Sequence, residues 1–192
     1  KDEQATVQLL GSGVILREVI KAAKILRDEY QIHSNVWSVT SFNELARDGM
    51  ACDEYNRLHP LTETAQESWL SKQLRHTDGI VVSATDHMRA YSEQIRGYLP
   101  DNRPYVTLGT DGYGRSDTRG NLRSYFGVDA AHIVVATLKK LADEGEVENR
   151  LVKDAISSFE LDTDRPVAWA PQEHPQVQAV AEYHEYQAGE GN

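Results

Sequence analysis

The chain is poor in cysteine, in long apolar runs and in positive charge, and each shortage argues against a class of protein. Its single cysteine, Cys52, allows no disulfide within the chain and no multi-cysteine metal site. No apolar run approaches the roughly 20 residues of a membrane-spanning helix. Acidic residues outnumber basic ones by 30 to 20, giving a net charge of -10. Nucleic acids and anionic membranes select clustered Lys and Arg, so neither is expected as a partner.

The first residues lack the layout of an export signal. The chain opens Lys1-Asp2-Glu3-Gln4, with neither an initiator Met nor a charged segment followed by an apolar one. We therefore expect a cytoplasmic protein, cut from something longer. At 192 residues the chain is long enough for one well-buried domain.

Strand-like and helix-like segments alternate along the chain. The strand candidates are short and apolar or β-branched, and they are 5–10, 35–40, 79–84 and 104–108. An amphipathic helix is predicted from Val14 to about Tyr30, and Ser41 with Glu44 forms a capping box for the next helix. Asp129 is predicted to cap a later helix. This alternation predicts an α/β fold, with three α/β/α layers and a mainly parallel sheet of about five strands.

The regular pattern ends near residue 160. We assign 1–160 to the α/β domain and 161–192 to an acidic, extended or disordered tail, because three prolines and many Gln and Glu residues replace the periodic pattern there. Trp169 and the Tyr183/Tyr186 pair are the residues able to hold part of this tail on the domain surface.

The segment 109–119, Gly-Thr-Asp-Gly-Tyr-Gly-Arg-Ser-Asp-Thr-Arg, follows the fourth strand candidate. Loops at the carboxyl ends of parallel strands are where ligands and partner subunits usually bind. No Gly-Lys-Ser/Thr follows, so the segment is not a phosphate-binding Walker loop. Arg115 and Arg119 could bind an anion, yet Asp111 and Asp117 are near enough in sequence to neutralise them. A loop that fixes a domain or subunit contact is favoured.

Motifs for self-sufficient chemistry are incomplete. Gly11-Ser12-Gly13 stands where a dinucleotide fingerprint would begin, but Leu16 occupies the third glycine position. A tight turn between strand and helix is favoured there, although its amides could still hold an anion. The sequence contains no H-E-x-x-H and no G-x-S-x-G. No catalytic, cofactor-binding or metal-binding residue is predicted.

Several segments together resemble a known enzyme family. They read VQLLGSG at 7–13, SVTSF at 38–42, ELARDG at 44–49, LHPL at 58–61 and LGTDGYGRSD at 108–117. In this order they resemble the C-terminal domain of the homodimeric bacterial type of pyruvate dehydrogenase, the thiamine-diphosphate-dependent decarboxylating component. The resemblance covers about residues 5–160, and its last segment is the most specific.

The resemblance implies a transketolase-like C-terminal domain with an architectural role. The complete enzyme would decarboxylate pyruvate and reductively acetylate the lipoyl group of the acyltransferase, using thiamine diphosphate and magnesium. This chain lacks the family's cofactor-binding signature, so no cofactor is expected to bind this domain alone. The implied partners are the remaining domains, a second subunit and the lipoyl acyltransferase. The interface candidates, in the last segment or directly after it, are Asp111, Arg115, Ser116, Asp117 and Arg119.

Two other functions stay open at the level of sequence. One is a free-standing nucleotide- or anion-binding α/β module that uses the glycine turn at 11–13. The other is a regulatory contact surface for the acyltransferase core, reached through the tail after Leu161.

Overall fold

Four parallel strands form the centre of the computed structural model, which describes residues 7–170. They are β1 (Val7–Ser12), β2 (Ser34–Val39), β3 (Ile80–Ala84) and β4 (Tyr105–Leu108), in the order β2-β1-β3-β4. The parallel α/β prediction is confirmed. The count within residues 7–170 is four instead of about five, because only the four strand-like segments of the sequence pair there.

Helices cover both faces of this sheet. They are α1 (Leu16–Tyr30), α2 (Phe42–Leu58), α3 (Trp69–Leu74), α4 (Arg89–Glu93), α5 (Arg119–Phe126), α6 (Ala130–Asp143) and α7 (Asn149–Ser158). Buried residues of α1, α6 and α7 pack on one face. Those of α2 and α3 pack on the other, which completes the three predicted layers.

Alternate residues of the strands enter the two core layers. In β1, Val7 and Leu9 pack with α1 and α6, whereas Leu10 packs with α2 and α3. Successive side chains of a strand point to opposite faces, so a strand in the middle of the sheet must be apolar on both. β1 and β3 are accordingly buried along their whole length and largely apolar, with Gln8, Ser12 and Ser83 as their polar residues.

The helix starts use the residues predicted from local sequence. The Ser41 hydroxyl accepts a hydrogen bond from the Glu44 amide at 3.2 Å, and the Asp129 carboxylate accepts one from the His132 amide at 3.0 Å. Each satisfies an amide that the first helical turn leaves without a backbone partner. Both predicted caps are confirmed.

The Gly11–Gly13 segment allows α1 to pack closely against β1. A side chain at Gly11 would lie 2.9 Å from the Cα of Leu16, so glycine lets α1 approach β1. Gly13 turns the chain into α1 with a φ of +54°. The predicted turn between strand and helix is therefore confirmed.

The strand order creates a crevice at the carboxyl end of the sheet. The chain leaves β1 towards β2 on one side, while β3 lies on the other side of β1. The connections after β1 and β3 therefore diverge to opposite faces, covered by α1 and by α4 respectively. Open α/β sheets bind ligands or partners at such a switch point.

Candidate functional site

Three loops meet at the carboxyl edge of the sheet, following β1, β3 and β4. The Ser12 hydroxyl donates to the buried Thr85 hydroxyl at 2.8 Å, which ties the first loop to the second. The Thr110 amide donates to the His87 carbonyl at 2.9 Å, which ties the third to the second. We call 109–118 the glycine loop. These bonds fix its starting point relative to both neighbours.

Asp111 anchors the glycine loop to the start of α4. Its carboxylate accepts a hydrogen bond from the Arg89 amide at 3.0 Å and forms an ion pair with the Arg89 guanidinium. The expectation that Asp111 neutralises Arg115 or Arg119 is therefore wrong. Arg89 takes the carboxylate because α4 begins directly beside the end of β4, whereas the two other arginines lie further along the loop.

The segment 165–169, which we call the strap, crosses this loop. The Arg89 guanidinium lies 4.8 Å from the centre of the Trp169 ring. The Ala168 carbonyl lies against Gly112, whose φ is +107°. Arg165 donates to the Ser124 carbonyl at 2.5 Å. Asp111 and Gly112 are therefore partly covered by the chain itself, and Trp169 is held on the domain surface.

Asp117 organises the start of α5. Its carboxylate accepts hydrogen bonds from the Asn121 side chain at 2.7 Å and from the Thr118 amide at 2.6 Å. The bond from Asn121, followed by the one from Thr118, lowers the pKa of this carboxyl below its ordinary value. Among the described residues Asp117 forms no ion pair with Arg115 or Arg119, although the charge of Arg115 is near enough to contribute to the lowered pKa of the Asp117 carboxyl.

The three remaining candidates are exposed on the loop and on the first turn of α5. Arg115 lies with its guanidinium 4.6 Å from the centre of the Tyr125 ring, and Ser116 and Arg119 face solvent. Arg115 and Arg119 line an open cavity of about 570 Å³. Its apolar lining comes from α5, the turn before α1 and the turn after α5, through Val14, Ile15, Leu122, Phe126 and Val128.

This arrangement has the composition of a protein contact surface. Arginine and apolar side chains are enriched in interfaces, where guanidinium groups bind carboxylates and their stems cover apolar area. The structure brings Arg115 and Arg119 to one cavity, whereas Asp111 and Asp117 shape the loop from within.

The turn at Gly13 is poorly suited to binding an anion. The Asp86 carboxylate lies 3.5 Å from the position that a Cβ at Gly13 would take. A negative charge beside the turn amides opposes a second negative charge there. Within residues 7–170, no group of three or more His, Cys, Asp or Glu residues is arranged to hold a metal ion.

No helix in the described ranges combines the length and the apolar character needed to cross a membrane.

A family model described as "Transketolase-like TK C-terminal domain" matches residues 1–129. The chain belongs to this family. The expected transketolase-like C-terminal fold is thereby confirmed, and the match includes the whole glycine loop.

Curated relatives carry the name pyruvate dehydrogenase E1 component. The Escherichia coli K12 protein is 50% identical over 159 residues, which is 83% of this chain and 18% of that protein. The Pseudomonas aeruginosa protein is 47% identical over 165 residues, 86% of this chain and 18% of its own length. The resemblance found in the sequence is confirmed. The chain spans about a fifth of the length of these relatives.

Among solved structures, the chain is similar to a split-gene transketolase described as an inactive beta4 tetramer. The alignment covers 73% of this chain and 40% of that one, with a TM-score of 0.49 and 23% identity.

Sequence reasoning missed Arg89 and Trp169 as partners of the loop. They lie far from Asp111 in sequence, so no local motif joins them. One signal was present: Arg89 follows β3, and the carboxyl ends of β3 and β4 are neighbours in the sheet. A polar residue after one strand is therefore a candidate partner for the loop after the next.

Proposed function

We propose that the chain is the C-terminal structural and dimerisation domain of a pyruvate dehydrogenase. Its complete enzyme decarboxylates pyruvate and reductively acetylates the lipoyl group of an acyltransferase. The observation that carries this proposal is the 50% identity, over 83% of the chain, to the pyruvate dehydrogenase E1 component of Escherichia coli.

The domain's own contribution is a contact surface. Arg115, Ser116 and Arg119 present two guanidinium groups and a hydroxyl beside an apolar cavity, and they bind acidic and apolar groups of the adjoining domain or subunit. Asp111 and Asp117 hold the loop in shape by binding Arg89 and Asn121. The second subunit, the remaining domains and the lipoyl acyltransferase are the proposed partners.

Thiamine diphosphate and magnesium act in the complete enzyme, bound outside this chain. The described residues do not fit this pair, because no acidic cluster here is arranged for a divalent cation and Asp86 lies beside the glycine turn. We therefore propose no catalytic step for the residues of this chain. The assignment of 1–160 as domain and 161–192 as tail belongs to the same proposal, as does a cytoplasmic location. The part of the tail from 171 onward lies outside the described residues.

The isolated chain tests the non-catalytic role. The 192-residue protein is titrated with thiamine diphosphate and magnesium and assayed for pyruvate decarboxylation with an artificial electron acceptor, beside the full-length enzyme as a positive control. We expect turnover from the full-length enzyme alone. Saturable cofactor binding with turnover by the isolated chain would contradict the proposal.

A second function, nucleotide or anion binding, is favoured by one observation. Arg115 and Arg119 line the same open cavity, and among the described residues neither forms an ion pair. Thermal-shift measurements with NAD, FMN and ATP separate the two functions, because a ligand of the folded state raises the melting temperature with concentration. A concentration-dependent rise that Arg119→Ala abolishes would favour this second function.

A further inference from the structure

The open cavity beside the glycine loop has a net positive charge in its lining. Arg115 and Arg119 line it, and within residues 7–170 neither forms an ion pair. Arg123 also lines it, but its charge is balanced by an ion pair with the buried glutamate of α1. Asp86 is the carboxylate in the lining, whereas Asp117 lies outside it. A group that binds here therefore gains from carrying negative charge.

The walls of the same cavity are apolar and incompletely covered. Leu122 and Phe126 lie one turn apart on α5 and both line the cavity, together with Val14, which is 52% exposed. No residue of α5 is fully buried by the described part of the chain. A helix as short as α5 gains most of its stability from packing, so an occupant of the cavity would stabilise it. The surface therefore favours an occupant with both apolar and acidic groups.

The strap leads the polypeptide to this cavity. It is fixed at Arg165, which donates to the Ser124 carbonyl, and at Ala168, whose carbonyl lies against Gly112. Gly112 in turn lines the cavity. The described residues end at Ala170, two positions after this contact. An extended chain spans roughly 3.3 Å per residue, so the residues that follow begin within reach of the cavity.

The sequence after the strap has the composition that the cavity favours. The stretch 171–192 contains four glutamates and no Lys or Arg. Its centre, 177–186, reads VQAVAEYHEY, in which two valines and two tyrosines accompany Glu182 and Glu185. A segment joined to its binding site by a short linker has an effective concentration on the order of millimolar. Contacts too weak to hold two separate molecules together therefore suffice to hold this segment.

We propose that the segment 177–186 docks in the cavity of its own domain. Its valine and tyrosine side chains lie against the apolar walls, and Glu182 and Glu185 bind the guanidinium groups. The proposed function assigns Arg115 and Arg119 to the adjoining domain or subunit, so the docked segment competes with that partner and regulates the contact. In this second step the inference rests on the proposed function.

Hydrogen–deuterium exchange of α5 tests the docking. The 192-residue chain is compared with a variant that lacks 171–192, with the amides of α7 as the internal reference. The amides of α5 exchange through local opening, which a docked segment opposes, so we expect at least about threefold slower exchange in the 192-residue chain. Equal exchange in the two proteins overturns the inference. Protection that grows with protein concentration also overturns it, because the occupant is then the segment of a second copy.

Two double variants of the 192-residue chain assign the protection to the central stretch. Glu182→Lys with Glu185→Lys reverses the charges inside 177–186, and Glu173→Lys with Glu190→Lys makes the same change in net charge outside it. The first pair should raise the exchange of α5 to the rate of the variant that lacks 171–192, whereas the second pair should leave it slow. Retained protection in the first pair contradicts the inference, and so does an equal loss in both. These variants also apply if the shortened chain fails to fold.

Dimerisation of the full-length enzyme tests the competition. Deletion of 171–192 should lower the dimer dissociation constant at least about threefold, because the contact surface is then free in every molecule. An unchanged constant overturns the regulatory step. The outcome is separable from that of the proposed function. If Arg115→Ala leaves the dimer dissociation constant unchanged, the proposed interface fails, but the exchange comparison still reports whether the segment occupies the cavity.

Discussion

At Gly112 the backbone and the strap allow no side chain. Its φ of +107° is disfavoured for residues with a Cβ, and a Cβ there would overlap the Ala168 carbonyl. Gly112→Ala should therefore lower the free energy of unfolding by more than about 1 kcal/mol and release Trp169 from Arg89. Urea unfolding measures the first effect, and tryptophan fluorescence measures the second.

Gly114→Ala is the matched control, because a Cβ at Gly114 meets no atom within 4 Å. This substitution should leave both measurements close to the wild type. Equal effects from the two alanines would show that the contact between strap and loop does not constrain Gly112.

Gln8 is the buried residue that links β1 to the edge strand. It bonds Asp78, Asn35 and Trp37 with no exposed surface of its own. Gln8→Leu removes all three bonds and leaves polar groups without their partners, which should destabilise the fold by roughly 2–4 kcal/mol. Urea unfolding measures this, and the near-ultraviolet circular dichroism of Trp37 should weaken in the folded state.

The control for Gln8 is Gln94→Leu, which removes an exposed hydrogen bond to Asn43. A change within about 0.5 kcal/mol is expected there. If Gln8→Leu were equally mild, the buried bonds would have no role in positioning Trp37.

At the scale of the elements, the start of α6 carries a pH-dependent contribution to stability. Burial would raise the pKa of the Asp129 carboxyl, but hydrogen bonds from the His132 side chain and amide hold it below its ordinary value of 3.8. The charged form is therefore favoured by folding. Its contribution is complete well above pH 3.8 and is lost as the pH falls through the lower folded value.

The two variants Asp129→Ala and Asp129→Asn separate the cap from the charge. At pH 7, Asp129→Ala should destabilise the fold by about 1 kcal/mol, because the His132 amide loses its acceptor. Asn still caps but does not titrate, so the stability difference between wild type and Asp129→Asn should shrink below pH 3.8. Urea unfolding at a series of pH values measures both. A difference independent of pH would contradict the assigned role of the charge.

The elements were predictable from the sequence where local interactions determine them. Ser41 and Asp129 cap helices through residues three positions away, so the residue types and spacing suffice. The pairing of Asp111 with Arg89 joins two loops across the sheet edge, and Trp169 reaches Arg89 from the segment that follows the last helix. Such contacts depend on strand order, which local periodicity does not determine. The glycine loop was therefore located correctly, whereas the ion-pair partner of Asp111 was not.

At the scale of the whole molecule, the family match says more about the kind of protein than the surface cavities do. The match to the transketolase-like C-terminal domain and the relatives named pyruvate dehydrogenase E1 component identify the kind of protein. The described residues line one cavity at the carboxyl edge through Arg115 and Arg119, and another beside β2 through Trp37. The cavities alone do not identify a partner.

The most direct test of the central claim is the dimer dissociation constant of the full-length enzyme with Arg115→Ala, measured by analytical ultracentrifugation. Arg115 is exposed, and its contact with Tyr125 contributes about 0.5–1 kcal/mol, so the melting temperature of the 192-residue chain should change little. We predict that Arg115→Ala raises the dimer dissociation constant at least about tenfold. The control Arg150→Ala, on α7, should leave this constant unchanged. A lowered melting temperature with an unchanged dissociation constant would contradict the interface role of the glycine loop.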